Sequence, residues 1–550
     1  MPTELGAQWF NDKIQPEIES VDQKRTWDDH AYFVTKHVMR AVGVTMRDTL
    51  ARSIYEAIRD FKFVPGGRYL YATGRPYHQV NNCMLLGAHD SREGWADLQH
   101  NSAMALMSGA GIGAVYGEVR ERGARIRKTG GFATGPVSLM QILNETGRHV
   151  QQGGSRRSAI WAGLPWSHPD IFEFIRIKNW PPELRALKEK DFSFPAPLDG
   201  TNISVQLDDD FFAAYEDPEH SKHSLAHSVY WETVRQMRKT GEPGFSIDVG
   251  PNAGETRRNA CTELTSHDNN DVCNLASINM ARIGSLDEFT QVMELALAFQ
   301  VAGTVYSDVP YAAVDQVRTK NRRLGLGLMG ITEWLLTRGK KYGPDEDLRG
   351  YLVAYSCSTT IAHGYCDQWS LSPCVKTRAI APNGTISGYA GTTGGIEPII
   401  CVANKRRYLK GGSTWHYQYQ VDPTAKRLID GGIRPDDIED AYDLAADVER
   451  RIEVQAFIQD YVDHGISSTI NLPHWGSEIN NDSTVKPFGD ILYKYLPRLR
   501  GITCYPDGAR GGQPITPVTY ATAVRHTGKE MVEEGTVDMC EIARGGGCGD

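Results

Sequence analysis

The chain has 550 residues, of which 40% are hydrophobic and 23% are charged, so it can bury a large core and is neither disordered nor fibrous. Its formal net charge of −9 argues against a general nucleic-acid binder or a membrane-surface protein. The sequence therefore predicts a globular protein whose nucleotide ligands, where it has any, are small.

The first twenty residues have no basic start followed by an apolar core, and no stretch reaches the run of about twenty apolar residues that spans a bilayer. We expect a cytoplasmic protein that binds no membrane. Its 10 cysteines are then reduced at rest, and any disulfide is transient and catalytic.

Residues 1–62 are predicted to be helical, because Trp27, Ala31, Val34 and Val38 recur at spacings of three and four. We interpret this segment as a packing and docking element. The helical pattern ends at Pro65-Gly66-Gly67, which breaks the chain.

A glycine-rich and basic region follows. Cys83 opens a short apolar run, and the glycines from Gly109 to Gly113 permit a close backbone approach to a ligand or to a neighbouring strand. Two loops rich in glycine and arginine then flank a helical pattern between residues 137 and 150. Arginine forks suit phosphate oxygens, so the pair favours an anionic ligand over a solvated basic face. The candidate residues are Arg125, Lys128, Gln152, Gly153, Arg156 and Arg157.

The central motif combines an amide, a thiol and a carboxylate at alternate positions: Asn259, Cys261 and Glu263. In an extended strand, alternate side chains share one face, so the three would point into one cavity. Cys273 follows at a distance that lets the chain turn back to the same site. The close thiol or histidine pairs of zinc sites are missing, so the pattern favours redox chemistry over a metal centre.

Two further glycine motifs differ in what they indicate. Residues 325–330 form a GxGxxG pattern, but no apolar strand leads into it, so we reject a dinucleotide site and expect close strand and helix packing. The second motif is a candidate phosphate loop, with a plain turn as the alternative. It comprises Asn383, Gly384, Thr385, Ile386 and Ser387.

Alternating strand and helix patterns without repeats or long linkers predict one large α/β domain over residues 63–515. Residues 516–550 are predicted to be a flexible tail. It carries Cys540 and Cys548, which suggest a shuttle for reducing equivalents, although a zinc knuckle or an idle end would have the same two cysteines.

Taken in order, these motifs resemble the catalytic subunit of ribonucleotide reductase, most closely its adenosylcobalamin-dependent branch. The resemblance extends over roughly residues 65–515 and includes motifs outside those described above. The additional matching segments are 129–131, 135–138, 168–171, 396–398 and 505–508.

The resemblance implies a ten-stranded α/β barrel with a central finger loop that carries Cys261 as the thiyl radical. Glu263 would be the base on the ribose 3′-hydroxyl, and Asn259 would hold the ribose hydroxyls. Cys83 and Cys273 would reduce the substrate and become a disulfide. Cys540 and Cys548 would reduce that pair again with thioredoxin or glutaredoxin.

The same resemblance implies that residues 383–387 hold the substrate phosphates and that the two basic loops bind a deoxynucleotide or ATP effector. Four departures stand out. Asn383 replaces a common threonine, the tail cysteines are widely spaced, and residues 1–62 are too short for an ATP cone. Near Tyr505, a possible radical relay, one tyrosine of the usual pair is replaced by Cys504.

That last departure favours adenosylcobalamin as the radical source. One alternative is a catalytic subunit that depends on a separate ferritin-like, metal-containing subunit, with no cofactor in this chain. More remote alternatives are a non-catalytic nucleotide-binding regulatory protein and a glycyl-radical enzyme. The sequence leaves open whether the chain is a monomer or a homodimer and whether it reduces diphosphates or triphosphates.

Overall fold

The computed structural model describes residues 25–150, 158–191, 194–410, 414–509, 515–527 and 530–532, which form a mixed α/β fold. The strands are β1 (Phe63–Pro65), β2 (Cys83–Gly87), β3 (Gly111–Val115), β4 (Ile160–Pro165), β5 (Thr201–Asp208), β6 (Gly244–Asp248), β7 (Arg257–Arg258), β8 (Thr265–Ser266), β9 (Asp271–Asn279), β10 (Leu324–Met329), β11 (Ala403–Lys410), β12 (Thr414–Val421), β13 (Thr469–Leu472), β14 (Gly501–Pro506), β15 (Ile515–Pro517) and β16 (Glu530–Val532).

The helices connect and cover these strands. They are α1 (Trp27–Arg40), α2 (Thr49–Arg59), α3 (Gly67–Ala72), α4 (Arg92–Met107), α5 (Pro136–His149), α6 (Ile171–Arg176), α7 (Pro182–Lys190), α8 (Asp209–Glu216), α9 (His223–Thr240), α10 (Leu286–Tyr306), α11 (Ala312–Asn321), α12 (Ile331–Leu336), α13 (Glu346–Tyr355), α14 (Ser358–Gln368), α15 (Gly384–Ala390), α16 (Pro423–Asp430), α17 (Ala441–Ala445), α18 (Val448–Gln459), α19 (Val485–Tyr495) and α20 (Tyr520–His526).

The main sheet has ten strands in the order β1-β9-β2-β3-β4-β5-β6-β14-β13, with β10 also paired to β9. Strands β2 to β6 are parallel to one another, and helices connect successive strands among them. Their burial on both faces explains why β3 and β4 read as short apolar runs without alternation.

An extended segment, residues 376–380, lies between the two ends of this sheet. On one side, the backbone nitrogen of Leu326 donates to the carbonyl of Thr377 and that of Ala379 to the carbonyl of Leu326. On the other side, the nitrogen of Ile380 donates to Gly465 and that of Ser467 to Ile380. The segment therefore links β10 to the residues just before β13.

Of the predicted helical segment 1–62, residues 1–24 lie outside the described residues, and the remainder contains α1 and α2. Trp27, Ala31, Val34 and Val38 are buried on one face of α1, which packs with α2 against α10. Helix α10 is apolar around most of its circumference because it is covered on several sides. Residues 325–330 form β10 and its turn into α12, so the expected strand and helix packing is confirmed.

A second, antiparallel sheet has the order β15-β11-β12-β16. The sequence predicts a flexible tail from residue 516, whereas the described residues 515–527 and 530–532 contain β15, α20 and β16. Backbone pairing with the β11–β12 hairpin provides the hydrogen bonds that this short polar segment could not make alone. No helix among the described residues is long and apolar enough to cross a membrane.

A short hairpin formed by β7 and β8 crosses the face of β3. A Cβ atom on Gly113 would lie 2.1 Å from the carbonyl oxygen of Arg258, and one on Gly111 would lie 3.1 Å from the Cβ of Ala260. The close approach that these glycines predict is therefore confirmed, and the neighbour is the hairpin backbone. Glycine is required at position 113 because neither backbone can retreat from this buried contact.

We expect Gly113→Ala to lower the free energy of unfolding by about 1–3 kcal/mol, the usual effect of overpacking a buried site. The added methyl group would force the hairpin off the sheet. Thermal unfolding followed by circular dichroism measures the effect.

The control is Gly350→Ala in α13, where an added Cβ would have no atom within 4 Å. We expect it to leave stability unchanged or to raise it by up to about 1 kcal/mol, the difference in helix propensity. Equal melting temperatures for the two variants would contradict the steric role of Gly113.

Candidate active site

The central motif lies in the loop of residues 259–264 that joins β7 to β8. The sequence predicts an extended strand here, and that prediction is wrong. The backbone nitrogen of Thr262 donates to the carbonyl of Asn259 over 3.1 Å, and Thr262 has a positive φ of 68°. The turn, rather than strand alternation, presents Asn259, Cys261 and Glu263.

Contacts from three directions hold this loop. The Asn202 side chain donates to the carbonyl of Ala260 over 3.4 Å. The backbone nitrogen of Gly465 donates to the carbonyl of Glu263 over 2.7 Å, and Gly113 lies beneath the chain at Arg258. Strand β5, the segment before β13 and strand β3 therefore all fix the loop, which gives its side chains defined positions.

Glu263 and Asn259 are buried at 1% and 0% exposure. Burial raises the pKa of Glu263 to about 7, although its own backbone nitrogen and the nearby Asn259 side chain act to lower it. Asn259 Oδ1 accepts from the backbone nitrogen of Leu264 over 3.0 Å. Asn259 Nδ2 and Glu263 Oε2 make no hydrogen bond of normal geometry to the described chain. An amide donor and a carboxyl group with a near-neutral pKa are thus available for a ligand.

Cys83 and Cys273 lie directly opposite each other in the antiparallel pairing of β2 with β9. Directly opposed positions in antiparallel strands have Cα atoms about 4.5–5.5 Å apart, which is within the range that a disulfide spans. The two residues are 190 positions apart in the sequence, but the strand register makes them neighbours. The two cysteines that the resemblance pairs are therefore brought together by the backbone.

Cys83 also adjoins the site loop. Its strand neighbour on the other side is Gly111, and the point where a Gly111 Cβ would lie is 3.3 Å from Cys83 Sγ and 3.1 Å from Ala260 Cβ. Ala260 directly precedes Cys261 in the loop. The glycine thus leaves room for the sulfur of Cys83 and the loop to pack above the same position of β3.

Cys261 is partly exposed and lines a cavity of about 280 Å³. The lining also includes Ser467, Thr469, Thr503 and Tyr505, so the proposed relay tyrosine shares the cavity of Cys261. Cys504 alternates to the core side of β14 and packs in an apolar cluster, where burial raises the pKa of its thiol to about 12. Burial therefore keeps this thiol protonated, although Cys504 is also among the residues around the cavity.

Sequence reasoning missed a buried ion-pair cluster beneath the loop. Arg258, the last residue of β7, pairs with Asp248, and Thr265 Oγ1, at the start of β8, donates to Glu255 Oε2 over 2.6 Å. Burial opposes the ionisation of Glu255, but the Lys376 ammonium and other partners lower its pKa to about 2. Both ends of the loop are thus anchored by charge.

The cluster draws on strands that are distant in sequence. Arg323 bridges Glu255 at 3.3 Å and Asp271 at 2.7 Å, and Arg500 lies 3.7 Å from Asp248. Burial lowers the pKa of Arg500 to about 9. No local pattern marks these residues in the sequence, because each pair joins elements far apart in the chain.

The predicted phosphate loop begins a helix, as the sequence suggests. Asn383 has a left-handed φ of 58° and precedes α15, whose first residues, Gly384 and Thr385, are exposed. Ile386 and Ser387 are buried. The Asn383 side chain donates to Ser277 Oγ over 2.9 Å, so it holds the loop against β9.

The other predicted site residues are only partly described. Arg125 and Lys128 are exposed on a loop that folds back on itself, with Arg125 bridged to Phe132. A groove of about 730 Å³ runs along α5, the helix predicted between the two basic loops. Gln152, Gly153, Arg156, Arg157, Cys540 and Cys548 lie outside the described residues.

Comparison with known proteins agrees with this arrangement. The family model "Ribonucleotide reductase, barrel domain" matches residues 81–242, 252–351 and 375–505. These segments contain β2, the β7–β8 hairpin with its loop, β9, the predicted phosphate loop and Tyr505.

Curated relatives cover most of the chain. A protein of Mycobacterium tuberculosis named vitamin B12-dependent ribonucleoside-diphosphate reductase is 27% identical over 84% of this chain and 72% of its own length. A protein of the same name from Thermoplasma acidophilum is 27% identical over 87% and 68%. A ribonucleoside-diphosphate reductase large subunit of Plasmodium falciparum is 25% identical over 60% and 48%. Since the family model covers more than half of the chain, the protein belongs to the ribonucleotide reductase barrel-domain family.

Proposed function

We propose that this protein is a ribonucleotide reductase that converts ribonucleotides to deoxyribonucleotides by thiyl-radical chemistry. The observation that carries the proposal is the opposition of Cys83 and Cys273 across β2 and β9, with the loop of Cys261 crossing the adjacent strand β3. The main sheet would be the ten-stranded barrel of the family, and the β7–β8 hairpin its finger loop.

Cys261 would carry the radical. Its side chain is partly exposed, and its buried loop neighbours Asn259 and Glu263 are the polar groups that would hold a ribose against its sulfur. Hydrogen-atom exchange between a thiol and a ribose carbon is reversible because the S–H and C–H bonds are similar in strength. Cys261 therefore would take the 3′-hydrogen and return it after reduction, and the rigid loop would keep its sulfur in place between these steps.

Glu263 and Asn259 would act on the ribose hydroxyls. A carboxylate whose pKa is about 7 can accept the 3′-hydroxyl proton near neutral pH and release it again. Asn259 Nδ2, a buried donor without a hydrogen bond to the described chain, would bind a hydroxyl oxygen. Desolvation at both residues makes each such hydrogen bond stronger than in water.

Cys83 and Cys273 would supply the two electrons. The 2′-hydroxyl leaves as water, one carbon–hydrogen bond replaces the carbon–oxygen bond, and the two thiols become a disulfide. Their opposed backbone positions allow that bond without rearrangement of the strands. Cys540 and Cys548 would then restore the thiols by exchange and pass the oxidation to thioredoxin or glutaredoxin.

Adenosylcobalamin is the proposed cofactor, as in the relatives that are named vitamin B12-dependent. The cavity beside Cys261, about 280 Å³ and close to the lower limit for small-molecule sites, fits a nucleoside-sized group. Its one carboxylate, Glu242, is neutralised by Lys178 at 2.5 Å, so the wall suits an uncharged group. When bound, the cofactor supplies the one-electron chemistry that removes the hydrogen atom of the Cys261 thiol.

Substrate and effector binding complete the proposal. Residues 383–387 would bind the substrate phosphates, with Gly384 and Thr385 exposed at the start of α15. The loops that include Arg125, Lys128 and residues 151–157 would bind a deoxynucleotide or ATP and couple that site to substrate choice. The groove along α5, the helix that separates these loops in the sequence, would adjoin that ligand. A monomer and a homodimer both fit this scheme.

The decisive experiment is a reduction assay with purified protein, a dithiol and a ribonucleoside diphosphate, with and without adenosylcobalamin. We expect turnover that requires the cofactor and no second polypeptide. Cys261→Ser should abolish turnover because a hydroxyl does not form the radical under these conditions. Deoxyribonucleotide formation is measured by liquid chromatography.

Cys357→Ser is the matched control, since Cys357 is exposed and far from the motif in sequence, and it should retain wild-type turnover. Measurable reduction by Cys261→Ser would refute the radical role. Activity that appears only with an added metal-containing subunit would instead support the second radical source. Nucleotide binding without any reduction would support the regulatory-protein alternative.

The pH profile tests Glu263. Because the deprotonated carboxylate is the base and its pKa is about 7, kcat/KM should fall about tenfold for each pH unit below that value. Glu263→Gln should lose about 100-fold or more in kcat and lose this acidic limb.

Glu263→Asp is the conservative comparison, and it should keep an acidic limb at a shifted pH with a lower rate. A wild-type profile that stays flat through neutral pH, or a Glu263→Gln profile with the limb unchanged, would contradict the base role. Cofactor binding measured spectroscopically for each variant separates lost chemistry from lost folding.

A further inference from the structure

A second pair of thiols lies outside the candidate active site. Cys366 Sγ and Cys374 Sγ are 3.6 Å apart, and both residues are buried, at 0% and 3% exposure. Cys366 is near the end of α14, and Cys374 is in the connection to the extended segment 376–380. Neither the family motifs nor the proposed reaction uses these residues.

The surroundings of the pair lower the pKa of one of the two thiols. The hydrogen bond from Cys374 lowers the pKa of Cys366, burial opposes this, and the Arg322 guanidinium lowers it further. Arg322 is held in place by Ser372, whose carbonyl accepts from its Nε over 3.0 Å. The carboxylate of Asp367 is the opposing charge nearby. Cys366, whose pKa these partners lower, thus faces a second thiol that can resolve a mixed disulfide.

We propose that Cys366 and Cys374 form a reversible dithiol–disulfide site, separate from the catalytic cysteines, that small disulfides oxidise. The Cys366 thiolate attacks a disulfide such as oxidised glutathione, forms a mixed disulfide and releases one glutathione thiolate. The Cys374 thiol then loses its proton and attacks the Cys366 sulfur, which releases the second glutathione. Starting from the Cys366 thiolate, the protein loses two electrons and the Cys374 proton, and oxidised glutathione gains the two electrons and leaves as two glutathione thiolates, which take up protons from the solvent.

The geometry requires little movement for this step. Bond formation brings the sulfurs from 3.6 Å to about 2 Å, and the residues are joined by a short connection that already folds back. The backbone nitrogen of Leu371 donates to the carbonyl of Cys366 over 2.8 Å. Above the pair, Ser370 and Pro373 are exposed, so local opening of this connection admits the oxidant.

The position of Cys374 gives the disulfide a structural consequence. The next residue, Val375, donates its backbone nitrogen to Asn321 over 2.9 Å, and Lys376 Nζ donates to Asn252 over 2.7 Å and pairs with Glu255. Glu255 belongs to the ion-pair cluster beneath the site loop. Oxidation would therefore tie the end of α14 to the segment that supports the candidate active site.

The test uses the full-length protein and does not depend on nucleotide reduction. Reduced protein is exposed to excess oxidised glutathione and quenched in acid, and its remaining thiols are alkylated with a maleimide under denaturing conditions before digestion and mass spectrometry. We expect peptides that contain Cys366 and Cys374 to lose alkylation and to be linked by a disulfide. Reduction with a dithiol should restore alkylation of both.

Two variants resolve the order of steps. Cys374→Ser should accumulate a glutathione adduct on Cys366, whereas Cys366→Ser should prevent the disulfide. Cys357→Ser is the control: it removes the adduct expected on the exposed Cys357 and leaves formation of the 366–374 disulfide unchanged. Hydrogen exchange at Leu371 and Val375 should be slower in the oxidised protein.

The wild-type experiment alone can overturn the proposal, so a variant that fails to fold does not obscure the result. The proposal is refuted if Cys366 and Cys374 are still fully alkylated once all of Cys357 has formed its glutathione adduct. A stable glutathione adduct on wild-type Cys366 without the disulfide would also refute it. Because the readout is a peptide linkage, it stays interpretable when the protein has no reductase activity.

Discussion

The structure depends on the passage of one backbone over another at Gly113. The β7–β8 hairpin can cross β3 only because no side chain occupies that position, and this crossing sets the height of the loop above the sheet. Gly111 lies on β3 with Gly113 and pairs with Cys83 of β2. Because Gly111 also has no side chain, the sulfur of Cys83 can lie next to the loop. A steric constraint in one strand thereby decides which chemical groups meet.

Around the loop, ion pairs anchor the backbone, whereas desolvation sets the pKa of Glu263. The anchoring acids, Asp248 and Glu255, have cationic partners and hold the two ends of the hairpin. Glu263 is buried, and no cation is among the causes that set its pKa, so its carboxyl is kept near neutrality instead of being fully ionised. Two carboxylates a few residues apart in the chain, Glu255 and Glu263, thus have opposite pKa shifts, which suits an anchor and a base.

The apolar periodicity predicts α1 and α5 well, because it reflects burial of one face of each helix. It fails at residues 259–263, where the turn at Thr262 depends on tertiary contacts from Gly113, Asn202 and Gly465. The opposition of Cys83 and Cys273 came from the family resemblance, since a strand register over that separation has no local signal. The ion pairs of Glu255 are invisible in the sequence for the same reason.

Asn383 shows how a departure from the family pattern fits this chain. Its φ of 58° is a conformation that asparagine adopts readily and that a β-branched threonine resists. Its amide donates to Ser277 on β9, the strand that also contains Cys273. The residue therefore gives up a hydroxyl at the predicted phosphate loop but fixes that loop to β9. The amide thus makes a contact to β9 that a threonine hydroxyl at this position would have to replace.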